Sequence, residues 1–256
     1  MRRLKVAVYK FSSCDGCQLQ FLNLEDELLQ LSDFIEFALF YEARRFVGSG
    51  PYDVAFVEGS ISTPHEVEVI KKVREESKVL VAIGACATSG GIQALRNWAD
   101  TEEYKRYVYP RPDWVEVLKY AEPPSKYVKV DYEIRGCPIS KEQLLSFVLQ
   151  LLKGKTPPTL PVDSVCVECK RRGNVCVLVA KGIPCLGPVT MGGCGALCPS
   201  YGRGCYGCYG PMIDPKPDAL NTRFKELNIK PREIQLLFKQ FTNWSKEFRK
   251  VIEEYE

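Results

Sequence analysis

Twelve cysteines carry most of the chemistry available to this chain, and their spacing divides them into three sets of four. Cys14, Cys17, Cys86 and Cys137 are scattered over the first part of the sequence. Cys166, Cys169, Cys176 and Cys185 open a dense run that Cys194, Cys198, Cys205 and Cys208 complete. Four thiolates are the ligand complement of one cubic iron–sulfur cluster. Three sets predict a row of three [4Fe–4S] clusters, and a row of redox centres is a path for electrons. Zinc is the chief rival, because it also takes four-cysteine sites, but zinc ribbons usually pair two CxxC knuckles. Here each C-terminal set has only one, CVEC at 166–169 or CYGC at 205–208. The full spacings are CxxC-x6-C-x8-C and CxxxC-x6-CxxC. CDGC at 14–17 also admits a thioredoxin-type redox reading, with Cys86 and Cys137 as buried structural residues.

The elements that must position these thiols are legible in the pattern. LKVAVYKF (4–11), IEFALFYEA (35–43), YDVAFVEGSI (52–61), KVLVAIGACA (78–87) and YVKVDYEI (127–134) read as strands. The fourth is a continuous apolar run of the kind found in buried parallel strands. A helix carrying Leu19, Leu22, Leu28, Leu29 and Leu31 follows the first strand. Thr63 and Pro64 read as N-cap and first residue of a helix through Glu76. KEQLLSFVLQLLK (141–153) closes the unit as another helix. Strands spaced by helices predict an α/β fold with a doubly wound parallel sheet. Cys14 and Cys17, Cys86, and Cys137 then all follow the carboxyl ends of strands, the edge where such sheets bind ligands. The thioredoxin reading does not explain that coincidence.

GKTPPTLPVDS (154–164) reads as a proline-rich linker. Residues 166–210 are rich in Gly and Cys without sustained periodicity, so their interior is expected to come from bound cofactors. The tail, about 218–255, is predicted to be helical. Its stripe of Ile234, Leu237, Phe238, Phe241, Phe248, Val251, Ile252 and Tyr255 is expected to pack internally.

The 256 residues, 45% of them hydrophobic, suffice for one full domain and a smaller appendage. A formal net charge of +3 gives no bulk reason to expect a nucleic-acid partner. No apolar run approaches the roughly 20 residues that span a membrane. MRRLKVAVYKF runs straight into strand-like alternation, with no signal-peptide pattern. The chain is therefore expected in the cytoplasm, where disulfides are uncommon and so many cysteines argue for metal. Abundant Lys, Arg, Glu and Tyr, with one His and three Met, lean toward a thermophile. Cytosolic disulfides remain the alternative in that setting.

CDGCQ (14–18), VEGSI (57–61), GACATSGG (84–91), RGCP (135–138) and the block from CVEC to CYGCYGP (166–211) resemble the small subunit of nickel–iron hydrogenases. The resemblance is closest to the cytoplasmic, multi-subunit branch that includes the sulfhydrogenase delta subunit, and covers about residues 4–211. It implies a flavodoxin-like domain (1–153) holding a proximal [4Fe–4S] cluster on Cys14, Cys17, Cys86 and Cys137, beside a catalytic large subunit. After a linker (154–165) it implies a cysteine-rich domain with the helical tail (166–256). There Cys166, Cys169, Cys176 and Cys185 would hold the distal [4Fe–4S] cluster, and Cys194, Cys198, Cys205 and Cys208 the medial one.

Two positions depart from the periplasmic branch. Cys166 stands where that pattern has a histidine, and Cys198 where it has a proline that leaves a three-iron medial cluster. The only histidine, His65, lies at a helix start and is expected at the surface. Gly16 offers no extra ligand of the oxygen-tolerant kind. RGCYGC (203–208) is superficially similar to a nickel-binding pair, but no cysteine follows Cys208, so no NiFe site is expected in this chain.

The resemblance implies an electron-transfer subunit of a cytoplasmic hydrogenase. The NiFe site and any flavin would lie on partner subunits, and NAD(P)H is the expected final carrier. No Gly-rich dinucleotide fingerprint occurs here. Alternatives are the proximal-cluster subunit of a quinone-reducing complex, where adjacent cysteines would be expected in place of Cys14 and Cys17, and a zinc-ribbon binding module. Glu58 reads equally as a proton-handling group or as a strand-end carboxylate binding backbone. Lys170-Arg171-Arg172 reads either as a solvated face or as a guide for a partner subunit.

Overall fold

The computed structural model describes residues 3–45, 47–154 and 161–256. The chain runs β1 (Leu4–Lys10), α1 (Gly16–Leu22), α2 (Asp26–Leu31), β2 (Ile35–Phe40), β3 (Tyr52–Glu58), α3 (Pro64–Glu76), β4 (Ser77–Ile83) and α4 (Gly84–Ser89). It continues through α5 (Thr101–Val108), β5 (Tyr132–Ile134) and α6 (Lys141–Leu152). Three short helices follow, α7 (Val165–Arg171), α8 (Val177–Lys181) and α9 (Leu197–Ser200). The tail forms α10 (Pro217–Glu226), α11 (Pro231–Phe238) and α12 (Lys246–Glu253).

The five strands are all parallel, in the order β2-β1-β3-β4-β5. This is the flavodoxin-like variant of the doubly wound sheet. Side chains alternate across it as a pleated strand requires. Val6, Val8, Phe56, Val81 and Ile83 face a layer that includes Phe21, Leu31, Leu144 and Phe147 of α1, α2 and α6. Ala7, Ala55, Val57, Leu80 and Ala82 face Ile70 and Val73 of α3. The Thr63 cap is a full capping box: its hydroxyl accepts the Glu66 N–H, and the Glu66 carboxylate accepts the Thr63 N–H.

Several boundaries differ from the sequence reading. The fourth strand stops at Ile83, because Gly84 at φ 83° turns the chain, and Cys86 falls in α4. Only Tyr132–Ile134 of the 127–134 run pairs as a strand; just before it, the Asp131 carboxylate takes the Leu80 N–H (2.9 Å) and Arg74. The helix after β1 is two helices, broken around Glu25 at φ 50°. The helical tail is likewise three helices, broken first at Asn228 (φ 56°) and restarted by Pro231. His65 is exposed in the first turn of α3. Residues 155–160 of the expected linker lie outside the described residues.

Residues 166–210 do not build their apolar interior by themselves; the tail supplies much of it. Val165, Val177, Leu178, Leu186 and Val189 form one buried cluster with tail residues, among them Leu220, Phe224, Ile234, Phe238, Phe248 and Val251. This part is tied to the sheet by Gln143 Nε2 donating to the Gly193 carbonyl (3.3 Å) and Arg135 Nη1 to the Pro211 carbonyl (2.9 Å). Asn243 accepts from Trp98 Nε1 (2.8 Å) and donates to the Gly91 carbonyl (3.1 Å).

Candidate metal centre

Lys10, Glu58, Ile83 and Ile134 lie in register as the last rung at the carboxyl edge of the sheet. Just beyond that rung come Cys14 in the loop after β1, Cys17 on α1, Cys86 on α4 and Cys137 after β5. The Ala85 N–H donates to the Gly136 carbonyl (2.7 Å), joining the loops that carry Cys86 and Cys137. A Cβ on Gly84 would run into Cys17 Sγ, so the glycine keeps open the space the thiols surround. Cys17 is buried and Cys14 exposed. Burial pushes the Cys86 thiol up to about 12, and charge on Cys137 and Cys14 adds to the effect. Burial also raises Cys137, again with Cys14 adding to it.

Glu58 sits beneath this set, on the strand between those leading to Cys17 and Cys86. It is buried, accepting the Cys17 N–H at 3.0 Å and Gln18 Nε2 at 2.9 Å. Burial raises its pKa, and those two donors oppose the rise. The strand-end reading of this carboxylate is thus realised, on the backbone of a candidate ligand.

Cys166 and Cys169 lie on α7, Cys176 caps α8, and Cys185 lies buried beyond it. The four line one cavity of about 80 Å³, whose other walls include Val165, Val177, Leu178 and Pro188. Cys185 Sγ accepts the Gly187 N–H (3.4 Å) and the Cys205 N–H (3.1 Å). Burial pushes the Cys166 thiol up to about 11, with Cys185, Cys169 and Cys176 adding to it.

Cys194, Cys198, Cys205 and Cys208 line a second, open cavity of about 600 Å³, and Cys137 of the first set lines it too. The Gly207 N–H donates to Cys205 Sγ (3.4 Å). Burial pushes the Cys208 thiol up to about 12, opposed by a hydrogen bond from the Cys137 backbone. The third set therefore touches the first through Cys137 and Cys208, and the second through Cys205 and Cys185.

Gly204 makes the latter approach possible, since a Cβ there would overlap the Pro184 carbonyl oxygen. Glu168, which the sequence reading passed over, holds the loop carrying Cys194. From α7 its carboxylate accepts the Gly193 N–H (2.8 Å) and the Ala196 N–H (3.1 Å). Its signal was available: it is the sole carboxylate between Asp163 and Asp214, set between two cysteines.

Cys166, Cys169, Cys176 and Cys185 line one cavity and Cys194, Cys198, Cys205 and Cys208 another, while Cys14, Cys17, Cys86 and Cys137 lie on neighbouring segments beyond one sheet edge. Among the described residues no three His, Cys, Asp or Glu side chains are gathered to hold a single metal ion. The donor sets fit iron–sulfur clusters, which take thiolates, hydrogen bonds to sulfur and a largely apolar surround. Thiols raised by burial release protons when they bind metal.

A family profile described as NADH ubiquinone oxidoreductase, 20 Kd subunit, matches residues 14–151. The chain is 39% identical over 241 residues to the sulfhydrogenase 2 subunit delta of Pyrococcus furiosus, covering 94% of this chain and 100% of that protein. It is 34% identical over 237 residues to a vhu-type F420-non-reducing hydrogenase subunit of Methanocaldococcus jannaschii, covering 81% and 82% of the two. A chain of an NAD+-reducing [NiFe]-hydrogenase in the H2-reduced state superposes with TM-score 0.58 at 29% identity, over 62% of this chain and 96% of that one. A chain of the Dm. baculatum [NiFeSe]-hydrogenase gives TM-score 0.60 over 88% and 99% of the two, at 16% identity, a likeness of fold alone.

Proposed function

The chain belongs to the NADH ubiquinone oxidoreductase 20 kDa subunit family and is an oxidoreductase subunit with hydrogenase subunits as relatives, and from that premise we propose that it is the electron-transfer subunit of a cytoplasmic nickel–iron hydrogenase. On this reading Cys14, Cys17, Cys86 and Cys137 hold a proximal [4Fe–4S] cluster. Cys194, Cys198, Cys205 and Cys208 hold the medial one, and Cys166, Cys169, Cys176 and Cys185 the distal one. Bound clusters supply reversible one-electron chemistry. The large subunit would carry the NiFe site, and further iron–sulfur and flavin subunits would exchange the electrons with NAD(P)(H). The division into residues 1–153, a linker at 154–165 and 166–256 is part of the same proposal.

The observation that carries this reading is the chaining of the three thiol sets. The second cavity is lined by Cys137 as well as its own four cysteines, and the Cys205 N–H reaches Cys185 Sγ at 3.1 Å. The two exposed thiols, Cys14 and Cys176, belong to the two terminal sets, so each end of the chain of sets reaches the surface. The protein's own groups brace the segments that carry the thiols. Glu58 and Gln18 fix the start of α1, and Glu168 fixes the Cys194 loop. Apolar residues wall the space around Cys166 and Cys185.

No helix among the described residues is long and apolar enough to cross a membrane. The family profile's name favours a second reading, the proximal-cluster subunit of a quinone-reducing complex. The eight cysteines beyond residue 151 are not accounted for by it.

Anaerobically purified protein is expected to be brown, with about twelve iron and twelve sulfide per chain. Colourless protein carrying about two or three zinc would defeat the proposal in favour of the zinc module.

A further inference from the structure

We propose that the Tyr209 side chain is the wedge that fixes the separation of the first and third thiol sets and carries the electronic contact between them. The inference rests on the electron-transfer reading above and deepens it by naming a positioning residue for one transfer of the relay.

Three chain neighbours of candidate ligands meet at this ring. Gly136 precedes Cys137, Gly193 precedes Cys194, and Tyr209 follows Cys208. A Cβ on Gly136 would lie 3.0 Å from Tyr209 Cε2 and 3.1 Å from its Cζ. A Cβ on Gly193 would lie 2.8 Å from Cε1 and 3.3 Å from Cδ1. The backbone beside Cys137 and the backbone beside Cys194 are thus both pressed against one ring, at different edges. Tyr209 is only 5% exposed, and it lines the cavity that Cys137 shares with the third set.

The chain on either side of the ring is tied down. The Cys137 backbone hydrogen-bonds to the Cys208 thiol just before it. Arg135 Nη1 donates to the Pro211 carbonyl (2.9 Å) just after it. Gln143 Nε2, from α6, donates to the Gly193 carbonyl (3.3 Å). These bonds all cross from the sheet part to the cysteine-rich part, so the ring stands at the seam between them.

A ring enclosed in this way cannot swing aside without displacing backbone, which makes it a rigid spacer. Electron exchange between two centres falls steeply with distance, and falls further across a gap than through packed atoms. The ring keeps that distance fixed and that path filled. One electron leaves the group held by Cys14, Cys17, Cys86 and Cys137 and arrives at the group held by Cys194, Cys198, Cys205 and Cys208. The first is oxidised as the second is reduced, and no bond or proton changes hands. The ring itself is neither oxidised nor reduced, so its hydroxyl is dispensable.

The test uses the anaerobically purified, iron-loaded protein with its partner subunits, as wild type and as Tyr209→Ala, Tyr209→Leu and Tyr209→Phe. Reduced wild type is expected to show electron paramagnetic resonance lines split by magnetic coupling between neighbouring clusters. Tyr209→Ala is expected to keep the wild-type iron content and to change that splitting. It should also slow H2-driven reduction of the medial and distal sets at least ~10-fold, the usual scale for losing a group that supports metal ligands. Isotope exchange between H2 and D2O, which needs no relay, should stay unchanged. Tyr209→Leu keeps the site better filled and should give a smaller change in the same direction; it carries the test if Tyr209→Ala loses iron. Tyr209→Phe should match wild type throughout. An iron-loaded Ala or Leu variant with wild-type splitting and rate overturns the wedge alone. So does a Phe variant that fails as the Ala variant does, or the loss of iron from both Ala and Leu variants, which would make the ring a folding element. A wild type that holds no iron overturns the electron-transfer reading, and the wedge with it.

Discussion

At the scale of single residues, Cys198 is the most informative ligand candidate. It sits on α9 among four thiols that line the open cavity beside Cys137. Proline in its place keeps a residue but removes the thiolate, so the fourth iron of a cubane loses its protein ligand. Cys198→Pro is expected to leave a three-iron cluster visible by electron paramagnetic resonance when oxidised; an unchanged spectrum would remove Cys198 from the ligand set. The cysteines were legible because their type and number advertise metal. Gln18 was not, because a Gln has many ordinary uses, whereas Glu168 stood out as the sole carboxylate of its stretch. In the fold Gln18 Nε2 donates to Glu58, and Glu168 accepts the Gly193 and Ala196 N–H groups.

At the scale of elements, the strands and α3 could be read from pattern, while the ends of elements could not. Gly84 cuts β4 short and swings Cys86 onto α4, whereas apolar periodicity alone continues the strand through 87. The tail gives the larger lesson. Its apolar spacing correctly marks a buried face, yet the three helices and what they cover depend on the partner surface around Val177, Leu178 and Leu186. Phe248 lies at the centre of that packing, edge-on to Phe238 with ring centroids 5.4 Å apart. Phe248→Ala is expected to cost about 3–5 kcal/mol in chemical denaturation, by loss of burial and the cavity left behind. A cost below ~1 kcal/mol would mean that the tail contributes little to holding the cysteine-rich part.

At the scale of the whole molecule, two interiors of different kind coexist. The sheet is packed with side chains on both faces. The cysteine-rich part combines an apolar cluster with two thiol-lined cavities. Iron removal by a chelator is therefore expected to leave amides of β1, β3 and β4 slow to exchange hydrogen while those of 166–210 exchange much faster. Equal protection in both parts after iron loss would show that the tail helices suffice as a core.

The sequence by itself determined the available donor types and the parallel sheet, because residue type and period are local properties. Tertiary structure alone decided which sets touch, through Cys137 with Cys208 and Cys205 with Cys185. It also decided which thiols reach the surface. Those facts depend on close approaches such as Gly204 against Pro184, which join residues that no local pattern relates.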